Sequence, residues 1–391
     1  MRLTLLAVVG GMITVMLTAT TSAQDSAPNY LRQPASVQRT AFEYDNYLYF
    51  APGEGGSATA SDQQAPPAPA QKKAEAAPAT PVVEPAAEAA PEEPKAPEPK
   101  RLIGNIGKTS INVSGWVDAG GTFNTDNPPS KYNGTLAPND RNQFQMNQLY
   151  LVMEKKLDTE KNCWDFGGRI DFLYGTDYIY GQSLGLETFP DGSRKWNAGT
   201  DYGLIMPQAY AEIGHGNLSL KLGHFYGIIG YESLMATSNF FYSQNYVVRY
   251  IEDTAYTGGM FTWKKSEELS LYLGGVNGQD RFDGQSDTLA VVTGLDWAPK
   301  GQKYLLHAAI QTGGTEPGVL PVQGVRTYTD TYLTYNLTDK YQFVTQFDYG
   351  WQNNYDLLGD TAKFYSFTQY AFYTINEKWK AGLRYDYYND E

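Results

Sequence analysis

Cysteine is almost missing from this 391-residue chain: Cys163 stands alone, so no intrachain disulfide is available. A single thiol is expected to pack as a small apolar group near a strand start. Histidine is nearly as scarce. His215, His224 and His307 are far apart and none sits in a catalytic or zinc-binding spacing, so no enzymatic site is expected. Positive charge is in short supply, with 30 Lys and Arg against 43 Asp and Glu. The net charge of −13 argues against nucleic acid as a partner. Past the first residues no stretch approaches ~18 unbroken apolar positions, so no helix is expected to cross a bilayer. Asp280-Arg281-Phe282-Asp283-Gly284 lacks the full spacing of a calcium loop. Neither a metal nor a cofactor is expected.

What is present is Tyr and Gly, 31 and 39 residues, with 14% aromatics and a mean hydropathy of −0.46. That profile suits a β protein that exposes aromatics in belts. Residues 1–23 read as a signal peptide. Arg2 is the charged start, Leu3 to Leu17 the apolar run, and Ala23 a small residue at the cleavage end. Residues 24–50 show no sustained period. Residues 51–103 are a linker rich in Pro, Ala, Glu and Lys, too poor in apolar surface to fold and held extended by proline. Residues 104–391 form the fourth part, where a period of two takes over.

The hairpin around Asn336-Leu337-Thr338-Asp339-Lys340-Tyr341 shows that period well. Thr331, Leu333 and Tyr335 alternate with Asp330, Tyr332 and Thr334; Tyr341, Phe343, Thr345, Phe347 and Tyr349 alternate with Gln342, Val344, Gln346 and Asp348. About thirteen such runs of roughly ten residues follow one another from position 110, the length that crosses a bilayer when tilted. Their connections alternate. Short ones such as Gly214-His215-Gly216-Asn217 and Pro299-Lys300-Gly301-Gln302 are interleaved with long ones near 125–142, 175–204, 227–254 and 278–287. A soluble sandwich has no reason to sort its loops this way, whereas an up-and-down barrel has short turns on one side and long loops on the other. The expected fold is all-β, a transmembrane antiparallel β-barrel. An odd count and an end at Tyr388-Asn389-Asp390-Glu391 lead to the expectation that the chain is truncated and that the whole barrel has 14–18 strands.

Gly115-Trp116-Val117-Asp118-Ala119-Gly120, Gly168-Arg169-Ile170-Asp171-Phe172-Leu173-Tyr174, Lys221-Leu222-Gly223-His224-Phe225 and Asn239-Phe240-Phe241-Tyr242-Ser243 resemble strings of the OmpL-like group of outer-membrane β-barrel porins. The likeness runs from about residue 110 to the end. It implies an outer-membrane location and a pore, brings no catalytic residues, and leaves room for a homo-oligomer.

If the apolar positions face lipid, their neighbours face the lumen. Asp118, Glu154, Asp165, Arg169, Asp171, Tyr210, Glu212, Lys221, Asp296, Asp348, Arg384 and Asp386 are then expected to line a pore, with Gln208, Gln311 and Gln346 among them. Carboxylates outnumber cations there, so a modest cation preference is expected. Arg169 could instead be neutralised by Asp165 and Asp171 on its own strand. The connection 227–254 is too aromatic for a free loop. Tyr231, Glu232, Phe240, Phe241, Tyr242 and Arg249 are expected to fold into the lumen as a constriction. The function expected is passive diffusion of small hydrophilic solutes across the outer-membrane lipid. The alternative is a structural or adhesive barrel whose Pro-rich arm, residues 51–100, tethers it to the cell wall.

Overall fold

The computed structural model describes residues 110–125, 143–159, 164–189, 193–197, 201–283, 289–301, 303–314, 324–353, 359–376 and 378–391, with the backbone of 4–7 and 13–16. The unpaired Cys163, the segment 24–50 and the linker 51–103 lie outside the described residues. Two short strands near the start, β1 (Thr4–Ala7) and β2 (Ile13–Met16), pair with each other as a separate sheet.

The remaining thirteen strands form one antiparallel sheet in sequence order. They are β3 (Asn112–Gly121), β4 (Phe144–Lys155), β5 (Asp165–Gly175), β6 (Gly203–His215), β7 (Leu218–Tyr226), β8 (Ala255–Lys264), β9 (Leu269–Val276), β10 (Ala290–Trp297), β11 (Tyr304–Gly314), β12 (Val325–Asn336), β13 (Tyr341–Gln352), β14 (Ala362–Asn376) and β15 (Trp379–Asp390). Every neighbour in the sheet is also the neighbour in sequence, the order of an up-and-down barrel. β3 and β15 are its edges, and among the described residues no ladder joins them. No described helix is long and apolar enough to cross a membrane.

The two faces of the sheet differ in a way that settles its solvent. On β13, Phe347 is 50% and Tyr349 37% exposed, while Gln346 and Asp348 between and beside them are at 0%. Val117, Leu149, Ile170, Leu222, Leu273 and Leu383 are likewise exposed on their strands. Arg169, Asp171, Gln208, Asp296 and Arg384 are buried. Apolar side chains outside and polar ones inside is the arrangement of a barrel in lipid, where every strand hydrogen bond must be made within the protein. The β12–β13 ladder runs from Asn336↔Gln342 to Arg326↔Gln352 and closes through Thr338, whose hydroxyl accepts from the N–H of Lys340 and Tyr341.

Two bulges change which residues face inward. Between Asp118↔Gln148 and Ala119↔Met146, Asn147 is the extra residue of β4. Asn147 and Gln148, though consecutive, are therefore both buried on the inner side. Between Asp171↔Gln208 and Leu173↔Ile205 the extra residue falls on β6 at Met206-Pro207. A bulge is one of the few places inside a sheet that a residue without an N–H can occupy.

Candidate functional site

The site is the interior of the sheet, and its centre is the segment 227–254 between β7 and β8. This segment carries a 3-10 turn (Ala236–Ser238) and one short helix, α1 (Tyr246–Tyr250). Asn245 caps α1, its Oδ1 accepting the N–H of Val248 at 2.7 Å. From there the segment makes polar contacts with strands on both sides of the sheet.

On the β4 side, Gln148 donates to the carbonyl of Leu234 at 2.7 Å and accepts the N–H of Ala236 at 3.1 Å. The Tyr242 hydroxyl donates to Oδ1 of Asn147 at 2.8 Å. On the β15 side, Arg384 uses all five of its N–H groups. Nε goes to Asp386 (2.9 Å), Nη1 to Glu232 (2.8 Å) and the Ser243 carbonyl (2.6 Å), and Nη2 to the Ser243 hydroxyl (2.9 Å) and the Gln244 carbonyl (2.8 Å). Asn245 reaches the Tyr370 hydroxyl on β14 at 2.8 Å. Toward the middle of the sheet, Glu252 accepts from Gln346 at 3.0 Å and Asp253 from Gln311 at 2.6 Å. Arg326 donates to the Ile251 carbonyl at 3.0 Å.

Apolar packing follows the same path. Tyr231 lies edge-on to Tyr332 and tilted on Tyr370; Phe240 and Phe241 pack on Phe372. The Arg249 guanidinium sits 5.3 Å over the Tyr180 ring. Each of the six residues singled out in this segment from the sequence thus contacts another part of the protein: Tyr231, Glu232, Phe240, Phe241 and Tyr242 reach the inner wall, and Arg249 reaches the turn 176–180.

Of the twelve strand residues expected along the lumen, Glu154, Arg169, Asp171, Asp296, Asp348 and Arg384 are buried, and Asp118, Asp165, Tyr210, Glu212, Lys221 and Asp386 are half-buried, in several environments. Arg169 donates to both oxygens of Asp171 (2.7 and 2.8 Å) and lies 3.7 Å from Glu154. Asp171 also accepts from the hydroxyl of Tyr150 (2.6 Å) and from Gln208 (3.0 Å). Asp165 is not part of this group. It pairs with Lys155 at 3.0 Å and accepts the N–H of Asp158, next to the short turn. Of the two acids that could neutralise Arg169 on its own strand, Asp171 does so, with Glu154 of β4 beside it, whereas Asp165 sits at the strand mouth and pairs with Lys155. Lys221 stands 4.3 Å over the Tyr210 ring and opposite Glu212 in the ladder. Asp296 accepts from Tyr272 (2.5 Å) and His307 (2.7 Å). Asp348 accepts from Ser366 at 2.7 Å. Asp118 shares the inner side with Trp116, which stacks on Tyr150.

The sequence marks 175–204 as a long connection but carries no sign that it turns inward. The turn Thr176–Tyr180 folds inward, and Asp177 accepts from Gln148 at 2.7 Å. Burial pushes Asp177 up to about 7, with the charge of Asp118 adding to it. Burial likewise pushes Glu187 up to about 7, although it accepts the N–H of Ser183 and Met206. Asp253 rises to about 6 by burial, held from rising further by Arg326. Glu232 is also raised by burial, against the pull of Arg384. Asp280, at φ +44°, accepts the N–H of Thr254 and Ala255, so the string Asp280-Arg281-Phe282-Asp283 anchors the end of the inward segment. The only signal for these residues in the sequence was acidity within loops, which does not distinguish an anchor from a solvated charge.

A family model described as "Putative beta-barrel porin-2, OmpL-like" matches residues 110–391. No curated protein matches the chain. Among solved structures, the outer membrane channel DcaP of Acinetobacter baumannii aligns with a TM-score of 0.43 and 11% identity over 74% of this chain and 82% of that one. OmpT of Vibrio cholerae, in its trimer form, gives 0.35 and 9% over 63% and 82%. OpdK of Pseudomonas aeruginosa with vanillate gives 0.34 and 11% over 63% and 64%.

Proposed function

Because the chain belongs to the OmpL-like β-barrel porin family, we propose that this outer-membrane protein is a passive diffusion channel for small hydrophilic solutes, narrowed by the segment 227–254 and modestly selective for cations. One observation carries the constriction: the segment bonds at once to Gln148 on β4 and to Arg384 on β15, near the two edges of the sheet. A segment that leaves β7, reaches β4 and β15 and returns to β8 has to cross the interior, and what it leaves open is what solute can use. The inner face holds Asp118, Glu154, Asp171, Glu212, Asp296, Asp348 and Asp386 against Arg169, Lys221 and Arg384. Charge at such close quarters sets ion preference.

The test is planar-bilayer recording. Deleting 236–246 raises single-channel conductance, and an unchanged conductance removes the constriction. A potassium chloride gradient gives a reversal potential of cation-selective sign; the opposite sign removes the cation preference. The dense bonding of the interior, with Arg169, Asp171 and Asp348 wholly shielded, favours a second reading. In it the barrel is plugged and structural, tethered through the Pro-rich residues 51–100. Liposome swelling in small sugars separates the two, since only an open channel lets sugar enter.

A further inference from the structure

We propose that Glu252, Asp330 and Asp348 form a site for a hard divalent cation of calcium type, which ties the inward segment to the wall made by β12 and β13. The inference rests on the constriction reading and adds a ligand to it. Asp330 and Asp348 are direct cross-strand partners on the inner face. Like charges placed opposite each other in a ladder oppose pairing. A third carboxylate, Glu252, is brought to the same place by the segment. One oxygen from each of the three lies within 4.8 Å of the others, and all three residues are at 0% exposure. Among the described residues, Asp330 and Asp348 meet Gln346, Ser366, His307, each other and the Gly230 N–H, but no lysine or arginine. His307 Nε2, 3.9 Å from Oδ2 of Asp330, is the group here that can carry positive charge, and a single imidazolium beside two buried carboxylates that face each other leaves one of them without a cation, which is costly.

Two buried oxygens at this place make no hydrogen bond. Gln346, also at 0% exposure, directs its amide at all three acids: Nε2 is 2.7 Å from Asp330, 3.0 Å from Glu252 and 3.4 Å from Asp348. An amide nitrogen has two hydrogens for these three acceptors. Its Oε1 has no hydrogen-bond partner, and neither has Oδ2 of Asp330. Half a turn of the Gln346 amide puts Oε1 at the point where the carboxylates converge. Three carboxylates and one amide oxygen are the donors calcium takes, with bidentate binding and water completing six to eight ligands. Ser366, donating to Asp348 at 2.7 Å, orients one ligand from behind.

The alternative is that the three acids share protons and take no metal. Calorimetry and thermal unfolding of the full-length protein in detergent, stripped with EDTA, decide between them with calcium as the only added ligand. We expect saturable binding and a Tm rise that EDTA reverses. Asp330→Asn and Asp348→Asn each weaken binding at least about tenfold, as loss of a ligand or its support does. Should a strand variant not fold, Glu252→Gln, outside the strands, carries the same expectation. No calcium response in the wild type, or variants that bind as the wild type does, overturns the site. Conductance is recorded separately. A protein that conducts but binds no calcium loses this site and keeps the channel. One that binds calcium with the expected variant pattern and does not conduct keeps the site and loses the channel.

Discussion

Nη1 of Arg384 on β15 lies 2.8 Å from Oε1 of Glu232, 152 positions earlier in the chain, with both side chains almost fully shielded. Glu232 in turn accepts the N–H of Asn245 at 2.9 Å, so this one pair fixes both ends of the stretch that contains Phe240 and Phe241. Removing the arginine leaves Glu232 buried without its cation. Arg384→Ala should destabilise the fold by roughly 3–5 kcal/mol, the cost of breaking a buried pair, and should raise conductance as the segment loosens. Heat-modified gel mobility and single-channel recording check the two effects; a variant with wild-type stability and conductance would sink the anchor.

Gly230 holds φ at +103°, and a Cβ there would lie 2.1 Å from the Glu252 carboxyl. Gly230→Ala therefore pays for a left-handed backbone and displaces Glu252 as well. The expected loss exceeds about 1 kcal/mol. Limited proteolysis should cut the 227–254 segment in this variant while the strands stay protected. A segment as resistant as the wild type would show that Gly230 has no such constraint.

Phe347 faces outward at 50% exposure in the middle of β13, while Gln346 beside it faces inward. Phe347→Arg should cost roughly 2–4 kcal/mol if it sits near the bilayer midplane. The measurement is reversible unfolding in lipid vesicles. A neutral result would mean that this face does not meet lipid.

Asp177 carries a pKa of about 7 in place of 3.8, chiefly through burial. Its folded value is raised, so its contribution is fully present below about pH 4 and is lost as pH rises through about 7. The shift of about three units corresponds to on the order of 4 kcal/mol. Asp253, raised to about 6, acts in the same direction over a narrower window. Protection of 176–180 from hydrogen exchange, corrected for the intrinsic rise of the amide rate with pH, should therefore fall between pH 4 and 7. Asp177→Asn, which cannot ionise, should flatten that dependence; an equally steep profile in the variant would assign it elsewhere.

About thirteen strands were legible from the period of two, and the sheet has thirteen, among them β8 at 255–264 and β13 at 341–352. Alternation identifies a face regardless of partners, so Asp171, Asp348 and Arg384 could be placed inside before any contact was known. The bulge that turns Asn147 inward beside Gln148 could not be read, because it depends on the register of β4 against β3.

Backbone geometry made the strands, their order and their two faces properties of the sequence itself: side chains two apart share a side, and short turns join neighbours. Which inner residues meet was decided only in three dimensions. Asp177 reaching Gln148, Arg384 closing on Glu232 and Glu252 arriving at Asp330 and Asp348 all join positions tens to more than a hundred residues apart. Such meetings depend on the curvature of the sheet and the path of one segment through it, and neither leaves a local pattern in the chain.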